Sequence, residues 1–176
     1  MKTLRVSTQI MPVYAVIVLI IYTWTMLWFF WKLPSWLYFL TAGEILTSFA
    51  YAMATNFAES LAVLCAPVVL GILLPKKWFY DVFVARGASL VMAGLGYMIY
   101  VAYQFQTKDS YPSLSLKPWS FALALALILL FVFVVGQIAF LRRVFEFVAD
   151  RAVIFLYISI PLSILSIVVI LIHWIL

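Results

Sequence analysis

The sequence predicts an all-α protein, a polytopic transmembrane helical bundle that crosses a bilayer five times. Hydrophobic residues make up 68% of the 176 residues and charged residues only 10%, whereas a soluble domain carries about 25% charged residues. Apolar stretches of about 20 residues, long enough to cross the hydrocarbon core, recur along the chain. The basic residues lie in short runs between these stretches, which is typical of loops in membrane proteins. Lipid is therefore expected to surround most of the outer surface.

The five spans are predicted within one membrane domain that covers residues 1–176. Four of them are clear, at about 10–31, 87–105, 119–141 and 152–175. The region 33–74 holds either one long helix or two shorter ones. One helix, at about 44–74, begins at Thr41 and Glu44, which have the spacing of a capping box. Two helices need a break near Asn56 and leave about 15 residues for the second, which is short for a span.

The placement of basic residues decides both the number of spans and the orientation. With five spans and a cytoplasmic N-terminus, eight of the 11 lysine and arginine residues lie on the cytoplasmic side, and the C-terminus is external. Six spans give a weaker bias. We expect six cytoplasmic residues to contact anionic lipid headgroups. They are Lys76, Lys77, Arg86, Arg142, Arg143 and Arg151.

Two connections are predicted to lie at the membrane surface. Residues 33–42 carry aromatic side chains that suit the headgroup region, and Pro34 disfavours helix continuation, so this segment is expected to lie flat on the outer interface. Residues 142–151 are interpreted as a charged turn of helix. Within this turn, Arg143 with Glu146 and Phe147 with Arg151 have spacings that allow contact.

The second span carries the candidate functional site. Its polar residues recur at helical spacing and share one face, with an additional asparagine beside it. The candidate residues are Ser48, Tyr51, Thr55, Asn56 and Glu59, together with Ser163 of the fifth span. Glu59 is the main candidate because it lies deep in an apolar run. It is interpreted either as a site for a proton, a cation or a polar ligand, or as a neutral structural carboxyl group bonded to a neighbouring helix.

The sequence lacks the residue sets that are typical of active sites. His173 is the only histidine and Cys65 the only cysteine, so this chain alone cannot supply a bis-histidine haem site or a cysteine-based metal cluster. No nucleophile with its base and no glycine-rich phosphate loop is recognisable. We therefore expect no enzyme activity, no cofactor and no metal, and the basic residues do not indicate nucleic-acid binding.

The segment FWKLPSWL at residues 30–37, which continues into Gly43 and Glu44, resembles the connection between the first two spans of lipoteichoic-acid-synthase-like and sulfatase-like enzymes. The resemblance covers the whole chain only as topology, that of their five-span membrane-anchoring part. Those enzymes carry a metal and a threonine nucleophile in an external domain after the fifth span, whereas this chain ends at Leu176. The resemblance implies a membrane module that associates with an envelope-glycan or sulfatase-type enzyme and carries no catalytic residue.

Three functions follow from these observations. The first is a non-catalytic membrane subunit or scaffold, which the scarcity of polar groups favours. The second is a small transporter, channel or lipid-binding protein that uses the polar stripe around Glu59. The third is the stand-alone module that the resemblance implies. We expect a bacterial-type plasma membrane as the location, with membrane lipids and another membrane or envelope protein as partners.

Overall fold

A computed structural model describes residues 6–75, 79–107 and 118–175. In this part of the chain 94% of the residues are helical and no strand is present. Five helices are long and apolar enough to cross a membrane. They are α1 (Met11–Trp36), α2 (Ala42–Leu73), α3 (Phe83–Thr107), α4 (Pro118–Gln137) and α5 (Ala139–Ile175). A π-helical turn, Val6–Ile10, precedes α1, and a 3-10 turn, Tyr80–Val82, precedes α3. The predicted helical fold with five candidate spans is confirmed.

Helix α2 is a single element of 32 residues, so the one-helix alternative is the one observed. Its N-terminus is the capping box that the sequence predicts. The backbone N–H of Thr41 donates to the Glu44 carboxylate at 2.7 Å, and the N–H of Glu44 donates to the Thr41 hydroxyl at 3.4 Å. The helix continues through Asn56 and Glu59 without a break, because backbone groups in lipid must be satisfied within the helix.

Helix α1 extends to Trp36, past the predicted end at residue 31. Pro34 lies inside its last turns, where the missing N–H removes only one backbone hydrogen bond. The Ser35 hydroxyl donates to the carbonyl of Lys32 at 2.8 Å, which satisfies one of the carbonyls near the helix end. The predicted flat segment at 33–42 is therefore reduced to a turn at 37–40, in which Tyr38 is exposed.

Helix α5 begins at Ala139, 13 residues before the predicted start at 152. Its 37 residues extend about 55 Å at 1.5 Å per residue, longer than the hydrocarbon core of about 30 Å. The predicted charged turn is therefore the first part of α5 itself. Here Arg142 pairs with Glu146 at 3.7 Å, in place of the predicted Arg143. The guanidinium of Arg151 lies 5.3 Å from the ring centre of Phe147, as the spacing predicts.

Helix α1 is the most buried of the five and packs against α2, α3 and α5. The rings of Phe29 on α1 and Phe49 on α2 lie 5.0 Å apart, which fixes these helices as antiparallel. Tyr22 of α1 bonds Ser163 of α5. Thr41 at the start of α2 and His173 at the end of α5 line one cavity. Hence α1 and α5 run in the same direction, and both end where α2 begins. We call this the aromatic end of the bundle.

Helix α4 is the least buried and packs mainly on α3. Tyr97 and Phe121 hold these two helices antiparallel, with ring centres 6.2 Å apart. Phe131 and Phe145 contact each other across the tight turn at Ile138 that joins α4 to α5, with ring centres 5.9 Å apart. The start of α3, the end of α4 and the start of α5 therefore lie together. We call this the basic end, because all described arginines lie near it.

Candidate functional site

The polar stripe of α2 is divided among three environments. The part near the aromatic end lines a cavity of about 530 Å³ that contains Glu44, Ser48, Tyr51 and His173. Glu44 is already engaged by Thr41 in the capping box. Nothing in the sequence pattern connects His173 with this stripe. That proximity follows from the common direction of α1 and α5.

The second environment is the contact between α2 and α1. Asn56 is buried and accepts a hydrogen bond from the Thr25 hydroxyl at 2.9 Å. Its Nδ2 is buried and has no hydrogen-bond partner in the described part of the chain. Buried Ser60 bonds Tyr14 at 3.1 Å. These hydrogen bonds join α1 to α2 and give the buried polar groups the partners that they need. A structural role therefore accounts for most of the polar side chains on this side of α2.

Ser163, a predicted member of the site, also forms a hydrogen bond that joins two helices. It bonds Tyr22 of α1 and also donates to the carbonyl of Ser159 at 2.7 Å. It therefore faces α1, and no hydrogen bond to Asn56 or Glu59 is observed. Tyr22, which was not among the predicted site residues, is eight residues from Tyr14 and three from Thr25. That spacing places all three polar side chains on one face of α1 and could have revealed the contact.

Glu59 occupies the third environment and is exposed. It lines a cavity of about 410 Å³ between α1, α2 and α3. Among the described residues that line this cavity, Glu59 is the only ionisable one. The neighbours are Ile20, Ile21, Trp24, Thr25, Ala62, Val63, Leu95, Met98, Ile99 and Ala102. Ala42 and Leu73, the two ends of α2, lie about 26 and 21 Å from Glu59 along the helix axis. The carboxyl group therefore lies near the middle of α2.

Small side chains surround Glu59 on the outward face of α2. Ala58, Ala62 and Ala66 are spaced by four residues, and all three are exposed, as is Thr55. Small residues at this spacing allow a second transmembrane helix to approach the backbone closely. We refer to Thr55, Ala58, Glu59, Ala62 and Ala66 as the Glu59 face.

No family model, curated protein or solved structure matches this chain. The resemblance to the membrane anchors of lipoteichoic-acid-synthase-like enzymes therefore stays a prediction. The function has to be argued from the geometry of the Glu59 face and of the cavities around it.

Two neighbouring cavities, which we together call the groove, lie along α1 between Glu59 and the aromatic end. A second cavity of about 310 Å³ shares Trp24 and Thr25 with the first and extends past Trp28 to Lys32. Trp24 and Trp28 contact each other edge to face with ring centres 5.5 Å apart. The groove thus has the Glu59 carboxylate at one end and the Lys32 amine at the other, with indole rings between them.

The six residues predicted to contact lipid headgroups differ in their exposure. Arg142, Arg143 and Arg151 are exposed on the first part of α5, where headgroups can reach them. Arg86, in contrast, is only 5% exposed, so other parts of the protein cover most of its side chain. Lys76 and Lys77 lie outside the described residues. Among the residues that are described, no three His, Cys, Asp or Glu side chains are grouped so as to hold a metal.

Proposed function

We propose that this protein is a non-catalytic membrane subunit or scaffold that binds a transmembrane helix of another protein on its Glu59 face. The observation that carries this proposal is the exposure of Glu59 near the middle of α2. A carboxylate that faces lipid at this depth costs several kcal/mol, about 3 kcal/mol on insertion scales. The flanking alanines make room for a helix, and a polar group on that helix satisfies the carboxylate.

The chemistry favours a different protein over a second copy of this chain. No lysine or arginine occurs at residues 33–75, 87–107, 118–141 or 152–176. A second copy would therefore bring two Glu59 carboxylates together without a cation at that depth. A partner helix with a lysine or an arginine at that depth supplies the missing cation. The resemblance noted above suggests an envelope-glycan or sulfatase-type enzyme as the partner class.

The test is purification of the tagged full-length protein from its native membranes in a mild detergent. Glu59→Gln is expected to lower the yield of the co-purified partner about tenfold or more, because the partner's cation is left buried and unpaired. Glu146→Gln is the matched control, since Glu146 lies outside the apolar region and pairs with Arg142. Equal partner yield from the Glu59→Gln and wild-type proteins contradicts the proposal.

The groove between Glu59 and Lys32 supports a second candidate, a small transporter or lipid-binding protein. The two neighbouring cavities, about 410 and 310 Å³, provide the space for a small ligand. In this case Glu59→Gln abolishes proton-coupled uptake into vesicles that contain the purified protein alone. If uptake by the Glu59→Gln protein equals that of the wild type, the transporter function is excluded.

We further infer that the protein resides in a plasma membrane with its N-terminus in the cytoplasm and its C-terminus outside. The bias of basic residues towards one end of the bundle supports this orientation. In a Cys65→Ser background, a cysteine at position 174, where Trp174 is 84% exposed, is expected to react with a membrane-impermeant maleimide on intact cells. Labelling that occurs only after lysis would contradict this orientation.

A further inference from the structure

The basic end of the bundle contains a buried arginine that forms no ion pair with any described residue. Arg86 lies in the first turn of α3 and is 5% exposed. Its Nε is buried and has no hydrogen-bond partner in the described part of the chain. The ion pair found among these residues joins Arg142 to Glu146 and leaves Arg86 out. A buried guanidinium of this kind is costly unless an anion accompanies it.

The position of the guanidinium is set by Gly136 of α4. A Cβ atom at this glycine would overlap the Nε, Cζ and Nη2 atoms of Arg86. The guanidinium therefore lies directly against the α4 backbone, and only glycine leaves room for it. Within the described part of the chain, packing rather than a carboxylate holds this side chain in place.

Arg86 lines a cavity of about 230 Å³ between α2, α3 and α4. The other lining residues are Leu70, Leu74, Phe79, Leu90, Leu129, Val132 and Phe133, all of them apolar. Leu74, Leu129 and Phe133 are between 36% and 48% exposed, so the cavity opens towards the side of the bundle. Lipid therefore has access to it. The described lining, with one cation among apolar side chains, fits an anion that carries a hydrocarbon chain.

We propose that this cavity binds one anionic phospholipid from the leaflet at the basic end. The phosphate accepts hydrogen bonds from the Arg86 guanidinium, whose planar donors match a phosphate. An acyl chain runs past Leu90 and Leu129, which lie deeper in the membrane than Arg86 and Gly136. The site is separate from the Glu59 face and does not depend on a partner protein.

The test uses the purified, delipidated full-length protein in detergent and counts bound lipid by native mass spectrometry. Three probes are compared: dioleoyl phosphatidylglycerol, dioleoyl phosphatidylcholine with the same chains, and inorganic phosphate. One phosphatidylglycerol is expected to bind about tenfold more tightly than phosphatidylcholine, and phosphate alone is not expected to compete. Equal binding of the two lipids, or full competition by phosphate, overturns the proposal.

Two variants locate the site. Arg86→Met is expected to weaken phosphatidylglycerol binding about tenfold, while Arg143→Met, an exposed arginine of the same end, leaves it within about twofold of the wild type. Gly136→Leu keeps the arginine but displaces its guanidinium, so the same loss is expected. Binding that is unchanged in both Arg86→Met and Gly136→Leu overturns the assignment. Glu59→Gln is expected to bind the lipid normally, which separates this result from the proposed function.

Discussion

Replacing Ala62 with leucine is expected to detach the protein from its membrane partner. Ala62 lies in the centre of the Glu59 face and lines the cavity beside Glu59. A leucine there fills the space that the partner helix occupies, and overpacking of this kind costs about 2 kcal/mol, or about thirtyfold in affinity. The measurement is the amount of partner that co-purifies with the tagged variant.

The control for this variant is Ala126→Leu. Ala126 is an exposed alanine near the middle of α4, where no charged residue accompanies it. Both variants place the new side chain on an outward face, so neither should disturb the bundle itself. Similar partner yields from the two variants would show that the Glu59 face has no special role.

Replacing Gly87 with leucine is expected to lower the free energy of unfolding of the bundle by about 3 kcal/mol. A Cβ at Gly87 would lie 3.0 Å from one methyl group of Val13 and 3.7 Å from the Cβ of Pro67. Three helices therefore meet at this glycine, and Val13 is completely buried. The larger leucine side chain would have to displace Val13 from this buried contact. The measurement is the unfolding midpoint in mixed detergent micelles.

Gly94→Leu provides the matched comparison on the same helix. A Cβ at Gly94 meets nothing within 4 Å, and leucine has a higher helix propensity than glycine by about 0.8 kcal/mol. This variant should be as stable as the wild type or slightly more stable. Comparable destabilisation by the two substitutions would contradict the helix crossing at Gly87.

Local chemistry explains what could be predicted from the sequence. The scarcity of charge predicts lipid as the solvent, and runs of apolar residues bounded by charge predict the five helices. The capping box of Thr41 and Glu44 forms as predicted because both of its hydrogen bonds join residues only three apart. Likewise, Arg151 reaches Phe147 because four residues bring the side chains together on one helix.

The features that could not be predicted depend on contacts between distant residues. Arg86 is followed by an apolar run, as a surface anchor would be, yet Gly136, fifty residues away, creates the space that buries it. Ser163 bonds Tyr22 because α5 packs on α1, which nothing in either helix alone specifies. Pro34 stays within α1 because the helix end tolerates the loss of one hydrogen bond.

The central claim is that protein, rather than lipid, covers the Glu59 face, and a photo-activatable residue tests this claim most directly. Placed at position 62 of the full-length protein in native membranes and irradiated, such a residue reports its nearest neighbour. The account predicts a cross-link to one specific membrane protein, which is absent when the probe is at position 126. Cross-links from position 62 to lipid alone would contradict it.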